Sequence, residues 1–570
     1  MPPAPIPGKV QWLPQGWSRD ESERWHHESQ GTVTVPVEAS WLLALERPRY
    51  LKSDPGMLSD PEYLQRFGFI PSPRGAWNLD GLPIGFARTS GTSPTNGKAF
   101  DRFGFTCAAC HTGRIDHDGT TILVDGGPAM VNLVGFGVQL YASAVQTYYN
   151  QPRFDRFARR VLGEHYSPET VKQLGGQLLA FLREGVGDLF KAPIFGNVKE
   201  GFGRLDALNR IGNLVFGGDM NINANRARTT APVAYPHLWD TSWFAWVQYN
   251  GSIEQPMVRN AGEAMGVAAL VNFEDTPTPQ YTSTIPVGVL HERIETLIAG
   301  KTPASEAAGF TGLRAPKWPE NILGTIQPAL KARGEEIYRA RCQGCHLPAT
   351  NTPEFWRAPQ WSAPNAAGER YLDLKMIPIS VVGTDPAQAE DMKNRTVLVP
   401  AKYSFPNPVG SSGAMTRHAF GPALGHAVEK VVTRWYDAQL PPTATADRDR
   451  MNGYRPNGIR AELSYKSRPL DGIWATPPYL HNGSVPTLFE LLSPYAIRQK
   501  RSCFYLGSTE FDVKWVGYKS IGAFKLCTNT RGNRNKGHLF DTSLPAGTGK
   551  LGDDIPEFDR YALIEYLKSL

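Results

Sequence analysis

A chain of 570 residues and 62.9 kDa has room for roughly two to four domains, which excludes a single small module. Hydrophobic residues at 41% and charged residues at 20% match ordinary globular usage and exclude a disordered, collagen-like or coiled-coil chain. A net charge of +6 spread over this length creates no concentrated basic field, so nucleic acid is not an expected partner.

The amino-terminal stretch Met-Pro-Pro-Ala-Pro-Ile-Pro-Gly-Lys-Val-Gln-Trp lacks the charged and apolar regions of a signal peptide, and no run of about 18 apolar residues follows. Neither a leader nor a transmembrane span is expected within this sequence. The 56 Gly and 47 Pro predict long ordered loops between short helices.

Cys107-Ala-Ala-Cys110-His111 and Cys342-Gln-Gly-Cys345-His346 both read C-x-x-C-H, the attachment signature of c-type heme. Two thiols add across the porphyrin vinyl groups, and the adjacent imidazole is carried under the ring as the proximal iron ligand. Two covalently attached heme c groups are the expectation. The rivals are a thioredoxin-like redox pair, which has no use for the trailing His, and a zinc ribbon, whose cysteine pairs would lie closer in sequence. Of the six cysteines, Cys503 and Cys527 remain, and a disulfide between them is expected in an oxidising compartment.

Between the motifs, Thr-Pro-Thr-Pro-Gln at 276–280 and Lys301-Thr-Pro-Ala-Ser mark a linker at 276–325. Ahead of the second motif, Leu330-Lys-Ala-Arg-Gly-Glu-Glu-Ile-Tyr-Arg-Ala has helical periodicity, and so does the closing stretch from Phe558 to Leu570. A helix pair framing the second heme, as in a cytochrome c domain, is predicted.

Tyr249-Asn250-Gly251-Ser252 and His481-Asn482-Gly483-Ser484 lie at nearly equal distances past the two motifs, each preceded by an Asp (Asp240, Asp471) and followed by a Pro (Pro256, Pro486). A tandem duplication of one heme domain accounts for this economically. The expected fold class is mainly α: two tandem cytochrome c-like heme domains with long loops and few short strands. Residues 1–70 would be an amino-terminal extension packing on the heme domains, 71–275 the first domain with the active heme, 276–325 the linker, and 326–570 the second domain with an electron-transfer heme.

The paired motifs, together with Pro477-Pro-Tyr-Leu-His481-Asn-Gly-Ser484 and an acidic stretch around Glu263-Ala-Met-Gly, resemble the bacterial di-heme cytochrome c peroxidase superfamily. Leu13-Pro-Gln-Gly-Trp17, Ser29-Gln-Gly31, Trp41-Leu-Leu-Ala-Leu-Glu46, Gly104 to Gly113, Trp239-Asp-Thr and Gly537-His538 resemble its rubber-oxygenase branch, which also contains fatty-acid dioxygenases.

The resemblance implies that one heme keeps an exchangeable site for dioxygen while the other carries two protein ligands and relays electrons. His111 and His346 would be proximal ligands. The resemblance favours His538 as the second ligand of the second heme, with Tyr495 and His481 as alternatives. The run from Trp239 to Tyr249 gathers aromatics, among them Trp243 and Trp246, that could wall an apolar pocket, bridge electrons or simply pack. Glu263 approximates the acid of the peroxidases, but the spacing departs from their Glu-Met-Gly, which leaves a helix-capping or supporting role equally open.

Three activities follow. One is a dioxygenase acting on carbon–carbon double bonds of an apolar unsaturated substrate, polyisoprene or an unsaturated fatty acid. Another is a peroxidase with Glu263 as acid–base catalyst, and the third is a plain electron carrier. An external electron donor is a possible partner, and thioether attachment implies a periplasmic or secreted protein.

Overall fold

Directly after His111 the chain reads Thr-Gly-Arg-Ile-Asp-His and then Thr-Thr-Ile-Leu-Val-Asp, rich in β-branched residues that favour a pleated, buried surface. The computed structural model, which describes residues 8–49, 56–191, 198–300, 312–547 and 549–570, folds these as antiparallel strands Thr112–His117 and Thr120–Asp125. Asp118 and Gly119 turn the chain between them, both at positive φ as a tight hairpin requires. Lys9–Trp12 adds in parallel to Thr120–Asp125 and completes a three-stranded sheet beside the first cysteine motif. A second hairpin, Phe86–Thr92 with Ala99–Phe105, delivers the chain into Cys107.

Helix accounts for 39% and strand for 16%, spread over many short strands and sheets, so the fold is mixed α/β rather than mainly α. The correction has a simple origin. Helical periodicity is conspicuous over ten or more residues, whereas strands of seven residues or fewer carry too few alternations to register.

The tandem arrangement of two separate heme domains is also overturned. Among the described residues, three of the four apolar cores draw on both halves of the chain. Met257, Val258 and Ala261 pack with Val397, Phe420 and Val428; Ile115, Ile122 and Val124 pack with Tyr338, Trp474 and Leu563; Trp243 and Phe244 pack with Phe355 and Trp361. Isolated bridges Phe244 to Leu372, Ile253 to Ile459 and Asp116 to Glu510 cross the same divide. Matching motifs repeat along the sequence, but the apolar surface that each half exposes is complementary to the other half, and burying it joins them.

The expected linker follows the same rule. Ile285, Val287, Leu290 and Ile294 enter the first core, while Lys301-Thr-Pro-Ala-Ser lies outside the described residues. Residues from Val35 to Leu45 and from Leu58 to Phe69 pack with Phe86, Phe103 and the helices Leu133–Tyr149, Gln151–Leu162 and Pro168–Lys191 in a core of their own. Among the described residues no helix is long and apolar enough to cross a membrane.

The predicted helix pair is present. Pro328–Arg341 crosses Glu557–Lys568, with Tyr338 against Tyr566 at 5.2 Å and Arg333 paired with Asp559 at 3.0 Å. The crossing is close at Gly334, where a Cβ would lie 2.0 Å from the Ala562 carbonyl oxygen. Cys503 and Cys527 are disulfide-bonded, face to face in register on the strands Cys503–Leu506 and Phe524–Cys527.

Candidate functional site

The first motif leaves the Ala99–Phe105 strand as a single 3-10 turn, Cys107–Ala109, which brings both thiols and His111 to one side. Gly85 accepts a hydrogen bond from the Thr106 N–H, and Gln30 Oε1 accepts from both the Cys107 N–H (3.2 Å) and its thiol (3.1 Å). Burial pushes both Cys107 and Cys110 up to about 12, so they are neutral thiols and unlike the acidic cysteines of redox motifs. All four motif cysteines are free thiols of intermediate exposure. Among the described residues no three His, Cys, Asp or Glu gather as a metal cage, which excludes the zinc-ribbon reading.

The His111 ring is fixed by its Nδ1–H, which donates to the Pro236 carbonyl at 2.8 Å. Burial lowers its pKa to about 4, opposed by that hydrogen bond, so the imidazole is neutral and Nε2 keeps its lone pair for a metal. Tyr235, one residue before the supporting carbonyl, packs edge-on against it at 6.2 Å.

The second motif repeats the device. His346 Nδ1 donates to the Arg468 carbonyl at 2.8 Å, and burial lowers its pKa as well. Here a second imidazole faces it: the ring centres of His346 and His538 are 6.2 Å apart. Two metal–nitrogen bonds of about 2 Å, with each ring centre about 1 Å beyond its nitrogen, span this distance. Burial holds His538 neutral, at about 3, and its Nδ1 is buried without a partner.

The loop bearing His538 is tightly determined. The buried Arg498 guanidinium donates to the carbonyls of Asn535, Gly537, Leu491 and His538, and the His538 N–H donates to Val382. Gly537 is obligatory there: its φ is +75° and a Cβ would lie 2.3 Å from the Gly383 carbonyl carbon. The residues at both motifs therefore fit heme c, with free cysteine pairs for thioether attachment and neutral, oriented imidazoles.

The other expected site residues are placed elsewhere. His481 stacks on Tyr465 at 4.2 Å and meets Tyr249 at 6.1 Å, and the Tyr495 N–H donates to Asp541, so neither is packed on the His346 ring. Trp243 lies in the cluster of Phe355, Trp356 and Trp361, which adjoins Leu347 of the second motif. Trp246 lies under the Arg460 guanidinium. Glu263, in the helix Pro256–Gly266, lies near the first motif; burial raises its pKa, Arg259 opposes, and its charge reaches Cys107 and Cys110.

Sequence reasoning missed Pro236 and Arg468, which act through backbone carbonyls that every residue possesses. A finer repeat could have pointed to them. The 3-10 turns Thr241–Trp243 and Ile473–Ala475, the positive-φ pairs Gln248/Leu480 and Gly251/Gly483, and the bridges Val247 to Ile253 and Tyr479 to Val485 all share the spacing that separates Pro236 from Arg468.

These two supported C-x-x-C-H sites are those of a c-type heme protein, and residues 464–503 match the family model described as RoxA-like, cytochrome c-like. The match supports a heme oxidoreductase in broad terms. The chain is 46% identical over 586 aligned positions to the uncharacterized protein y4iJ of Sinorhizobium fredii, covering 100% of this chain and 95% of that one, and it belongs to the same family. A 58-residue segment, 10% of this chain and 13% of the relative, is 50% identical to the uncharacterized protein y4iM of the same organism.

Proposed function

We propose that the protein is a di-heme c-type oxygenase that uses dioxygen on carbon–carbon double bonds of an apolar unsaturated substrate, polyisoprene or an unsaturated fatty acid. One observation carries the reading, the inequality of the two motifs. His346 faces a second imidazole, whereas the ring packed on His111 is the phenol of Tyr235.

Heme c supplies a redox-active iron able to activate dioxygen. Cys107 and Cys110 would hold one group, Cys342 and Cys345 the other. His111, neutral and oriented by Pro236, would hold the iron of the first group, and that site would take the dioxygen chemistry. His346 and His538 would together hold the iron of the second group, which would suit that site to relaying electrons from an external donor. A periplasmic or secreted location accords with thioether attachment and with the Cys503–Cys527 disulfide.

The test is product analysis. Purified holoprotein is incubated in parallel with oleate and with polyisoprene under isotopically labelled dioxygen, and products are identified by mass spectrometry. Label in a cleaved or oxygenated product is expected; substrates recovered unchanged in both arms overturn the proposal. A second reading, peroxide reduction, is favoured by the nearness of the Glu263 carboxyl to the first motif.

A further inference from the structure

The two proximal histidines are supported from one small region. His111 donates to the carbonyl of Pro236 and His346 to the carbonyl of Arg468. The Arg468 guanidinium turns back to the first support: its Nη2 donates to the carbonyls of His237 at 3.2 Å and Trp239 at 3.3 Å, within the segment that begins at Pro236. The chain just before Arg468 is anchored on both sides. Ser467 donates to the Cys345 carbonyl at 2.8 Å, while Lys466 donates to the Gln248 carbonyl at 2.8 Å.

Two buried carboxyls lie within electrostatic reach of Arg468. Asp240 and Asp471 pack against each other, and the Trp239 indole N–H donates to the Asp471 carbonyl at 2.8 Å. Burial raises both carboxyls above the usual range, and Arg468 opposes this. The Arg468 Nε–H is buried with no acceptor, so the carbonyl fork fixes this side chain.

We propose that Arg468 is a positioning residue shared by both heme sites: its carbonyl orients His346, and its guanidinium holds the 236–239 segment whose Pro236 carbonyl orients His111. The inference rests on the two-heme reading and adds that the sites are coupled through one side chain. A neutral residue at 468 removes a cation near both irons and loosens both supporting carbonyls. Loss of positive charge disfavours the reduced state, so both midpoint potentials should fall together.

The experiment is a spectroelectrochemical titration of holoprotein R468Q, D471N and wild type, each with heme counted by the pyridine hemochrome assay. In R468Q both midpoints should move negative. In D471N, which keeps Arg468 and removes one of the two buried carboxyls beside it, both should move positive. If R468Q does not mature, D471N alone decides. Movement of one midpoint only, or of neither, overturns the proposal. Fewer than two hemes in the wild type would instead overturn the two-heme reading, and the two failures are thereby distinguished.

Discussion

The imidazoles of His346 and His538 face each other with ring centres 6.2 Å apart, although 192 positions of chain, two hairpins and a disulfide-bonded loop separate them in sequence. Nothing bonds them directly. The pair of neutral rings is held at this separation, one by the Arg468 carbonyl and the other by the Arg498-braced loop, and this spacing is what the proposed ligation of the second heme by both histidines requires.

His538→Ala should therefore convert one heme from low spin to high spin while heme content stays constant. Electron paramagnetic resonance of the oxidised protein reads this directly, and added imidazole should restore the low-spin signal. An unaltered spectrum would remove His538 from the ligand set.

Glu263 discriminates the two reactions. Glu263→Gln keeps the shape and the hydrogen-bonding reach toward Gln248 but cannot shuttle a proton. Oxygenation of an unsaturated substrate should change by no more than about twofold, whereas a peroxidase that relies on this acid would lose about 100-fold or more. Parallel assays with dioxygen plus oleate and with hydrogen peroxide plus a reduced electron donor give the answer.

How far the sequence discloses this site depends on what each residue contributes. Cys107, Cys110, Cys342 and Cys345 are legible because covalent attachment tolerates no other side chain at that spacing. The pairing of Cys503 with Cys527 and the helices Pro328–Arg341 and Glu557–Lys568 are legible for similar reasons of fixed chemistry and long period. The sheet beside His111 and the cores shared between halves are not, because short strands and long-range burial leave no local pattern. Trp243 illustrates the limit: its sequence neighbourhood left a pocket wall, an electron bridge and simple packing all open, and only the fold shows it packed against Phe355 and Trp361.

Acid should weaken the fold through His27. This ring is buried, its Nδ1–H donating to the Phe86 carbonyl and its Nε2 paired with the Ser72 hydroxyl, and burial favours the neutral form. Burial lowers its pKa from 6.5 to about 4. Between those values the unfolded chain binds a proton that the folded chain refuses. Stability is therefore complete above about pH 6.5 and is lost as pH falls toward 4, by up to about 3 kcal/mol. Thermal unfolding of wild type and His27→Gln across this range should show a shallower pH dependence in the variant; identical slopes would assign the acid sensitivity to other groups.

Gly334 tests whether the helix pair positions the second motif. A methyl group there would meet the Ala562 carbonyl oxygen at 2.0 Å, its carbon at 2.6 Å and Tyr566 Cβ at 2.8 Å, all on the facing helix. Backbone cannot yield locally, so Gly334→Ala must separate the helices, at about 1–3 kcal/mol for overpacking. The strain has a direction. The helix Pro328–Arg341 runs straight into Cys342, and the Tyr338 hydroxyl donates to the Leu347 carbonyl at 2.7 Å just beyond His346, so a shift of this helix moves both ends of the motif. Heme attached at Cys342 and Cys345, measured by peptide mass spectrometry, should fall while attachment at Cys107 and Cys110 is kept. Gly344→Ala, whose added methyl meets nothing within 4 Å, supplies the control and should load normally. Full loading and unchanged stability in Gly334→Ala would show that the helix crossing does not position the second site.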